Sequence, residues 1–281
     1  MTFFCDIDLA QEKDVENVLW LTQTKINQVY RKVLMQLRKA SKAHVLRHKV
    51  ERRYLAFLKL SQQFYRAFIQ RLASRYIIPD VEEVCKSLGL ETLQEPERVD
   101  PVAANIHGNI LKSCYNTLIH LGDLSRYRYQ QSQKGLDSGV SYYRLAQKLN
   151  PDDGTAHHQM GVFYNEQNRH LDITYHFYRA AVCKKAHPNA SMNLEVELKR
   201  ALASNFIHRR GNGNTPQDVL KSWFVRLHAN FRKGTRFPEY DELEKEVIHR
   251  VGMAWKSNEP VDMLLYIILV NFSAYHDART R

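Results

Sequence analysis

The chain is 281 residues long and 44% hydrophobic, enough to bury a core in one large domain or two closely packed ones. Its 41 Lys and Arg outnumber 30 Asp and Glu, giving a net charge of +11 to which thirteen His add in acid. Eight Pro and 11 Gly are few for a turn-rich all-β chain, and no apolar run reaches the ~20 residues of a membrane span, so a soluble, intracellular, mostly helical protein is expected.

Residues 8–40 and 44–76 read as two long helices. In the first, Val15, Val18, Leu19, Thr22, Ile26 and Val29 recur at three- and four-residue steps; in the second, Val50, Tyr54, Phe57, Leu58, Ser61 and Phe64 do the same. The Ile78-Pro79 step stops the second helix, because the residue before a proline avoids the helical region. A short helix fills 81–88, and the stretch 89–103, with two prolines and little periodicity, forms a surface loop. Helices follow at 109–133, 139–149, 155–167, 171–185, 189–205, 238–255 and 260–275. Another starts at Thr215-Pro216, a threonine N-cap with proline in the first helical position. No strand alternation bounded by hairpin turns is present, and the class is all-α. The run Arg209-Arg210-Gly211-Asn212-Gly213-Asn214 reads as a linker between a domain at 1–205 and a helical extension, 215–281, packed on it.

An internal repeat marks the middle of the chain. Tyr143 and Phe177 are 34 residues apart, as are Ala146 and Ala180. The tetratricopeptide pattern fits around them: Gly139, Tyr143, Ala146 and Pro151 close one repeat, and Met160-Gly161, Tyr164, Phe177 and Ala180 belong to the next. Glycine at 161 suits a close approach of two helices in a hairpin. Leu121-Gly122 is the equivalent step of the first repeat, with five extra residues before Gly139. Two repeats rarely stand alone as a solenoid, so the other helices must flank them.

Catalytic motifs are absent: there is no HExxH, no GxxxxGK[ST] and no GxSxG, and Gly211-Asn212-Gly213 follows no strand. A non-enzyme without cofactor or metal is therefore expected. Cys5, Cys85, Cys114 and Cys183 are scattered without a CxxC pair, which indicates neither zinc nor a disulfide framework. His44 and His48 sit among cations that repel a metal, and the adjacent His157 and His158 point apart on a helix. The first six residues lack a basic head followed by an apolar run, so no secretory signal is expected.

The informative constellation is basic. Arg31 and Arg38 are seven residues apart, on one helix face, with Tyr30 beside them. Asp123 lies one turn before Arg126 and Tyr127, where a carboxylate orients the guanidinium. Such groups converging on one point would suit a phosphate dianion through bidentate, charge-assisted hydrogen bonds. A rival set suits RNA or single-stranded DNA: Arg47, Lys49, Arg52 and Arg53, then Arg209 and Arg210 with Lys184-Lys185, and Arg232-Lys233 with Arg236. The 15 Tyr and 12 Phe fall mainly on apolar faces, however, and form no obvious cluster for base stacking.

The segment 118–128 (LIHLGDLSRYR), followed by Tyr142-Tyr143-Arg144-Leu145-Ala146, resembles the adaptor family shared by telomerase-regulating Est proteins and SMG-type nonsense-mediated-decay factors. Asp153-Gly154, Gln159-Met160-Gly161 and the run 188–194 extend the resemblance, and Gly122-Asp123 with Arg126-Tyr127 is also similar to a helix of 14-3-3 proteins. The resemblance is close over about 107–200, looser over 15–76, and carried only by helical pattern over 205–281.

What the resemblance implies is a 14-3-3-like helical domain with tetratricopeptide-like hairpins, a helical extension, and a groove for phosphoserine or phosphothreonine peptides. Arg126 and Tyr127 match the family's phosphate-binding pair. Arg31, or its neighbour Lys32, lies where the family uses a lysine or arginine, and Arg38 matches a second arginine of 14-3-3 proteins. His158 stands where relatives place an asparagine that clamps the peptide backbone. The implied partner is a phosphorylated decay helicase or telomere-bound protein, with RNA or single-stranded DNA as the alternative ligand. A dimer with a related adaptor, a nuclear or cytoplasmic location and no membrane contact complete the expectation.

Overall fold

The computed structural model describes residues 7–40, 42–94, 98–132, 136–203, 215–234, 239–256 and 261–280. Among them the regular structure is helical, with two isolated β-bridges, Tyr76 to Val99 and Asp153 to Lys185. The chain divides into two compact units, Met1–Leu149 and Asn150–Arg281. The linker expected at 209–214 lies outside the described residues. No described helix is long and apolar enough to cross a membrane.

The first unit contains α1 (Ile7–Glu12), α2 (Val15–Lys39), α3 (His44–Arg75), α4 (Pro79–Ser87), α5 (Ala104–Ser132) and α6 (Leu136–Leu149). The single helix expected over 8–40 is interrupted at Asp14, which turns left-handed (φ 49°), a conformation that aspartate tolerates better than most residues. Its carboxylate accepts from Asn17 Nδ2 at 2.8 Å as α2 begins. Helix α3 is the axis of the unit. Its buried face carries Tyr54, Leu58, Tyr65, Ile69 and Leu72 at helical spacing.

Helix α2 runs antiparallel to α3: Gln23 donates to Ser61 at 2.6 Å, and the Tyr54 hydroxyl donates to Asn27 further along. Helix α5 is antiparallel to α3 as well, with Gln62 donating to Ser125 at 2.8 Å and Tyr65 packing on His120. The periodic apolar row of α2 is not its buried face. Asn27 and Leu34 are buried, whereas Val18, Ile26 and Val29 face solvent. The segment after α4 is pinned along α3, where Arg66, Gln70 and Ser74 bond the backbone at Leu88, Glu91 and Leu93.

The second unit contains α7 (Thr155–Asn165), α8 (His170–Val182), α9 (Ala190–Ala201), α10 (Pro216–Lys233), α11 (Tyr240–Lys256) and α12 (Val261–Thr280). Helices α7 and α8 form a hairpin, and α8 in turn packs against α9, α10 and α12. The expected start of α10 is present: Thr215 Oγ1 accepts from the Asp218 amide at 3.2 Å, with Pro216 in the first turn. His157 and His158 point apart, one with Nδ1 2.9 Å from His176 Nδ1 and the other stacked on His187.

Each unit holds one hairpin of the repeat, and each hairpin closes over a glycine. A Cβ on Gly122 would lie 2.5 Å from Tyr143 Cζ, and one on Gly161 would lie 2.5 Å from Phe177 Cε1. The glycine-to-aromatic separation is longer in the first hairpin by the five residues that the sequence pattern counts as extra. By contrast, a Cβ on the helical Gly108 or Gly252 would meet nothing within 4 Å. Gly122→Ala is expected to cost roughly 1–3 kcal/mol by overpacking, whereas Gly108→Ala should gain about 0.5–1 kcal/mol from helix propensity. Thermal melting of the two variants, which should shift in opposite directions, checks the assignment.

Candidate functional site

In the first unit, Asp123 sits on α5 with its side chain almost fully buried, and two donors satisfy it. The Tyr143 hydroxyl of α6 donates to Asp123 Oδ1 at 2.7 Å, and Arg126 Nη2 donates to the same oxygen at 3.1 Å. The spacing of Asp123 and Arg126 is legible in the sequence. The Tyr143 brace is not, because an aromatic in the tetratricopeptide pattern reads as packing alone. Burial by itself would lower the Arg126 pKa, but the charge of Asp123 and the neighbouring tyrosines hold it above the ordinary arginine value, so this guanidinium stays charged.

Tyr127 is where α2 and α5 meet. The Arg126 Cζ lies 4.9 Å from the centre of its ring, and the Arg31 Cζ of α2 lies 5.9 Å from it. Burial and the Asp123 charge push the Tyr127 phenol above its ordinary pKa, while Arg126 and Arg31 pull it down. Behind it, burial pushes Tyr54 up to about 12 against the opposing pull of Arg31. Tyr30 stacks on Tyr54 at 5.0 Å between centroids, which backs the helix turn that presents Arg31.

Arg31 is exposed and makes no hydrogen bond or ion pair with any described residue. Lys32, one residue on and so about 100° round the helix, is also exposed, and Arg31 is the one beside Tyr127. Arg38 lies two turns along α2, where its guanidinium donates to Gln131 Oε1 at 3.2 Å.

His158 belongs to the second unit. Its buried ring stacks on His187 at 3.6 Å, and its Nε2 accepts from Asn193 Nδ2 at 2.8 Å. A side-chain amide thus sits beside this histidine.

The rival cations divide into different environments. On α3, Arg47 and His48 both reach Glu51, at 3.8 and 3.3 Å, while Lys49, Arg52 and Arg53 are exposed. Lys184 and Lys185 pair with Asp152 and Asp153 at 3.6 and 2.7 Å, and Arg232 pairs with Asp277. Arg209, Arg210 and Arg236 lie outside the described residues.

The helical architecture defines a 14-3-3-like domain. The chain belongs to the Est1 family: residues 14–132 match the family of telomerase activating protein Est1, and residues 140–281 match the Est1 DNA/RNA binding domain. Among curated relatives, the nonsense-mediated mRNA decay factor SMG7 of Danio rerio is 29% identical over 98% of this chain and 22% of its own length. The telomere elongation protein est1 of Schizosaccharomyces pombe is 26% identical over 57% of this chain and 36% of its own length. The chain therefore spans well under half the length of these relatives. Two solved structures share the fold. A chain of a crystal structure of Est1 and Cdc13 has a TM-score of 0.74 at 13% identity, covering 97% of this chain and 58% of the other. A chain of the C. elegans SMG5-SMG7 complex has a TM-score of 0.55 at 20% identity, covering 98% and 67%.

If Tyr143 braces Asp123, Tyr143→Phe removes one hydrogen bond to a buried carboxylate, a loss of about 1.5–3 kcal/mol. Thermal melting should fall by several degrees with no change in helix content by circular dichroism.

Proposed function

We propose that the chain is a non-catalytic adaptor that binds phosphoserine or phosphothreonine peptides, in nonsense-mediated decay or in telomerase recruitment, and that it works in the nucleus, the cytoplasm or both. The observation that supports this most is the pair of guanidinium groups, Arg31 and Arg126, brought from two helices onto one tyrosine. In this reading Arg126 is the fixed donor, held by Asp123. Arg31 is the free one, Tyr127 contributes its hydroxyl, and Arg38 exchanges Gln131 for the phosphate. Each charge-assisted bond contributes about 1.5–3 kcal/mol, and three or four of them reach the ~8 kcal/mol of micromolar affinity. That both solved relatives are complexes with a second protein supports a protein partner, including a related adaptor.

Arg31, rather than Arg126, is the clean probe. Reversing Arg126 would place a carboxylate against the buried Asp123, and like charges there destabilise the fold itself. Arg31→Glu should leave the melting temperature unchanged and weaken binding of a phosphoserine peptide at least tenfold, measured by fluorescence anisotropy. Equal affinity of the parent chain for the phosphorylated and unphosphorylated peptides would remove the phosphate site.

A second reading, RNA or single-stranded DNA binding, is favoured by the family description for residues 140–281. That span carries 18 Lys and Arg against 15 Asp and Glu from residue 150 onward, and several of its cations are paired. Under this reading Arg209→Ala with Arg210→Ala should reduce the salt slope of oligonucleotide binding by about 1–2. An unchanged slope removes those two residues from the interface.

A further inference from the structure

In the second unit, α10 and α11 pack side by side. Lys233 lies with Glu239 at one end of the pair and Pro216 with Ala254 at the other, so the two helices are antiparallel. Between them is a cavity of about 710 Å³, to which Leu202 at the end of α9 contributes. That volume lies within the ~300–1,000 Å³ of clefts that hold a ligand.

Each helix supplies one wall. On α10 it is the row Trp223, Arg226, Asn230 and Lys233, at three- and four-residue steps. At the start of α11 it is Glu239, Glu242, Leu243 and Glu246. The charges are therefore sorted, with cations on one wall and carboxylates on the other. The unit itself makes little use of them. Glu246 pairs with Arg250 at 2.6 Å, one turn along its own helix, and Arg226 donates to the Ala203 carbonyl at 3.5 Å. The side chains of Lys233, Glu239 and Glu242 are exposed and make no hydrogen bond or ion pair with any described residue. Apolar area lies between the charges, from the Trp223 indole, Leu202 and Leu243. Beyond Glu246 the same two rows continue to a second hollow of about 470 Å³, lined by Leu220, Pro216 and Met253 among others.

We propose that this cavity binds an extended peptide segment of a partner protein in which neighbouring residues carry opposite charges, as in Arg-Glu. The reason is geometric. Successive side chains of an extended chain point to opposite sides, so an adjacent cation and anion reach opposite walls at once. The basic residue meets Glu239 and Glu242, and its aliphatic stem lies along the indole. The acidic residue meets Arg226 and Lys233. An apolar residue further along the segment fills the second hollow. Charge excludes a nucleic acid here: residues 239–246 hold five acids and one lysine, and that wall repels phosphates. An isolated metal cation would face Arg226 and Lys233 across the cavity. The site is independent of the phosphate reading, whose guanidinium groups, Arg31 and Arg126, belong to the first unit.

The test uses two fluorescein-labelled peptides of one composition, both flanked by leucine and serine. One carries Arg-Glu as neighbours; in the other a serine separates them, so that both charges point to the same side. Titrated with the purified chain by fluorescence anisotropy, the adjacent pair should bind at least tenfold more tightly. Glu242→Lys and Lys233→Glu should each weaken that binding at least tenfold without lowering the melting temperature, since both residues are exposed and unpaired. Combining the two substitutions should recover it, because the peptide can enter turned by half a rotation about its axis. Equal affinity for the two isomers, binding of neither, or no effect of Glu242→Lys overturns the proposal. So does displacement of the adjacent-charge peptide by a single-stranded oligonucleotide or by a phosphoserine peptide, or self-association of the chain that is lost with Glu242→Lys.

Discussion

The first unit turns on one carboxylate. Asp123 lies in the interior, where an unpaired charge costs several kcal/mol, so its two donors are required by the fold. One donor, Tyr143, belongs to the helical hairpin; the other, Arg126, belongs to the cationic surface. Tyr143 reaches Asp123 only because position 122 has no Cβ to hold the ring off. Gly122 and Asp123 are thus adjacent in sequence for one reason: the first admits the ring, and the second accepts its hydroxyl. The repeat and the charged site are the same piece of structure, and a change in hairpin packing would also move Arg126.

Polar contacts set the register of the long helices around α3. The Tyr54 hydroxyl donates to Asn27 of α2, and Gln62 both donates to Ser125 and accepts from Arg128 of α5. Apolar faces could slide by a turn at little cost, but a buried amide that lost its partners would forfeit about 1–3 kcal/mol. These contacts hold Arg31 and Tyr127 level with each other although 96 residues separate them. Such positional accuracy matters where a planar guanidinium is to meet an anion in a bidentate way.

Much of this was legible in the sequence. The helical class follows from periodicity, the close hairpin approach from Gly161, and the orienting pair from the spacing of Asp123 and Arg126. The meeting of Arg31 with Tyr127 was not, since spacing within one helix says nothing about which other helix lies beside it. The interruption at Asp14 was missed because one left-handed residue leaves the apolar period intact. The row from Val15 to Val29 marks a helix correctly, yet periodicity measures only that a stripe exists. It does not say whether the stripe meets this chain or something outside it, and α2 instead buries Asn27 and Leu34.

Helix α2 therefore has three distinct sides. One, with Asn27 and Leu34, fastens it to the unit. A second presents Arg31 beside Tyr127, and a third carries the exposed apolar row bordered by Lys25 and Lys32. Adjacent residues on a helix point about 100° apart, so Arg31 and Lys32, alike in charge, lie on different surfaces. The high cationic charge acts on both, because fields from the fourteen basic side chains between Glu16 and Asp80 extend about 8–10 Å at physiological salt. The two sides differ in what accompanies that charge. At Tyr127 it is a phenol and a second guanidinium held by Asp123, and along the apolar row it is exposed aliphatic area.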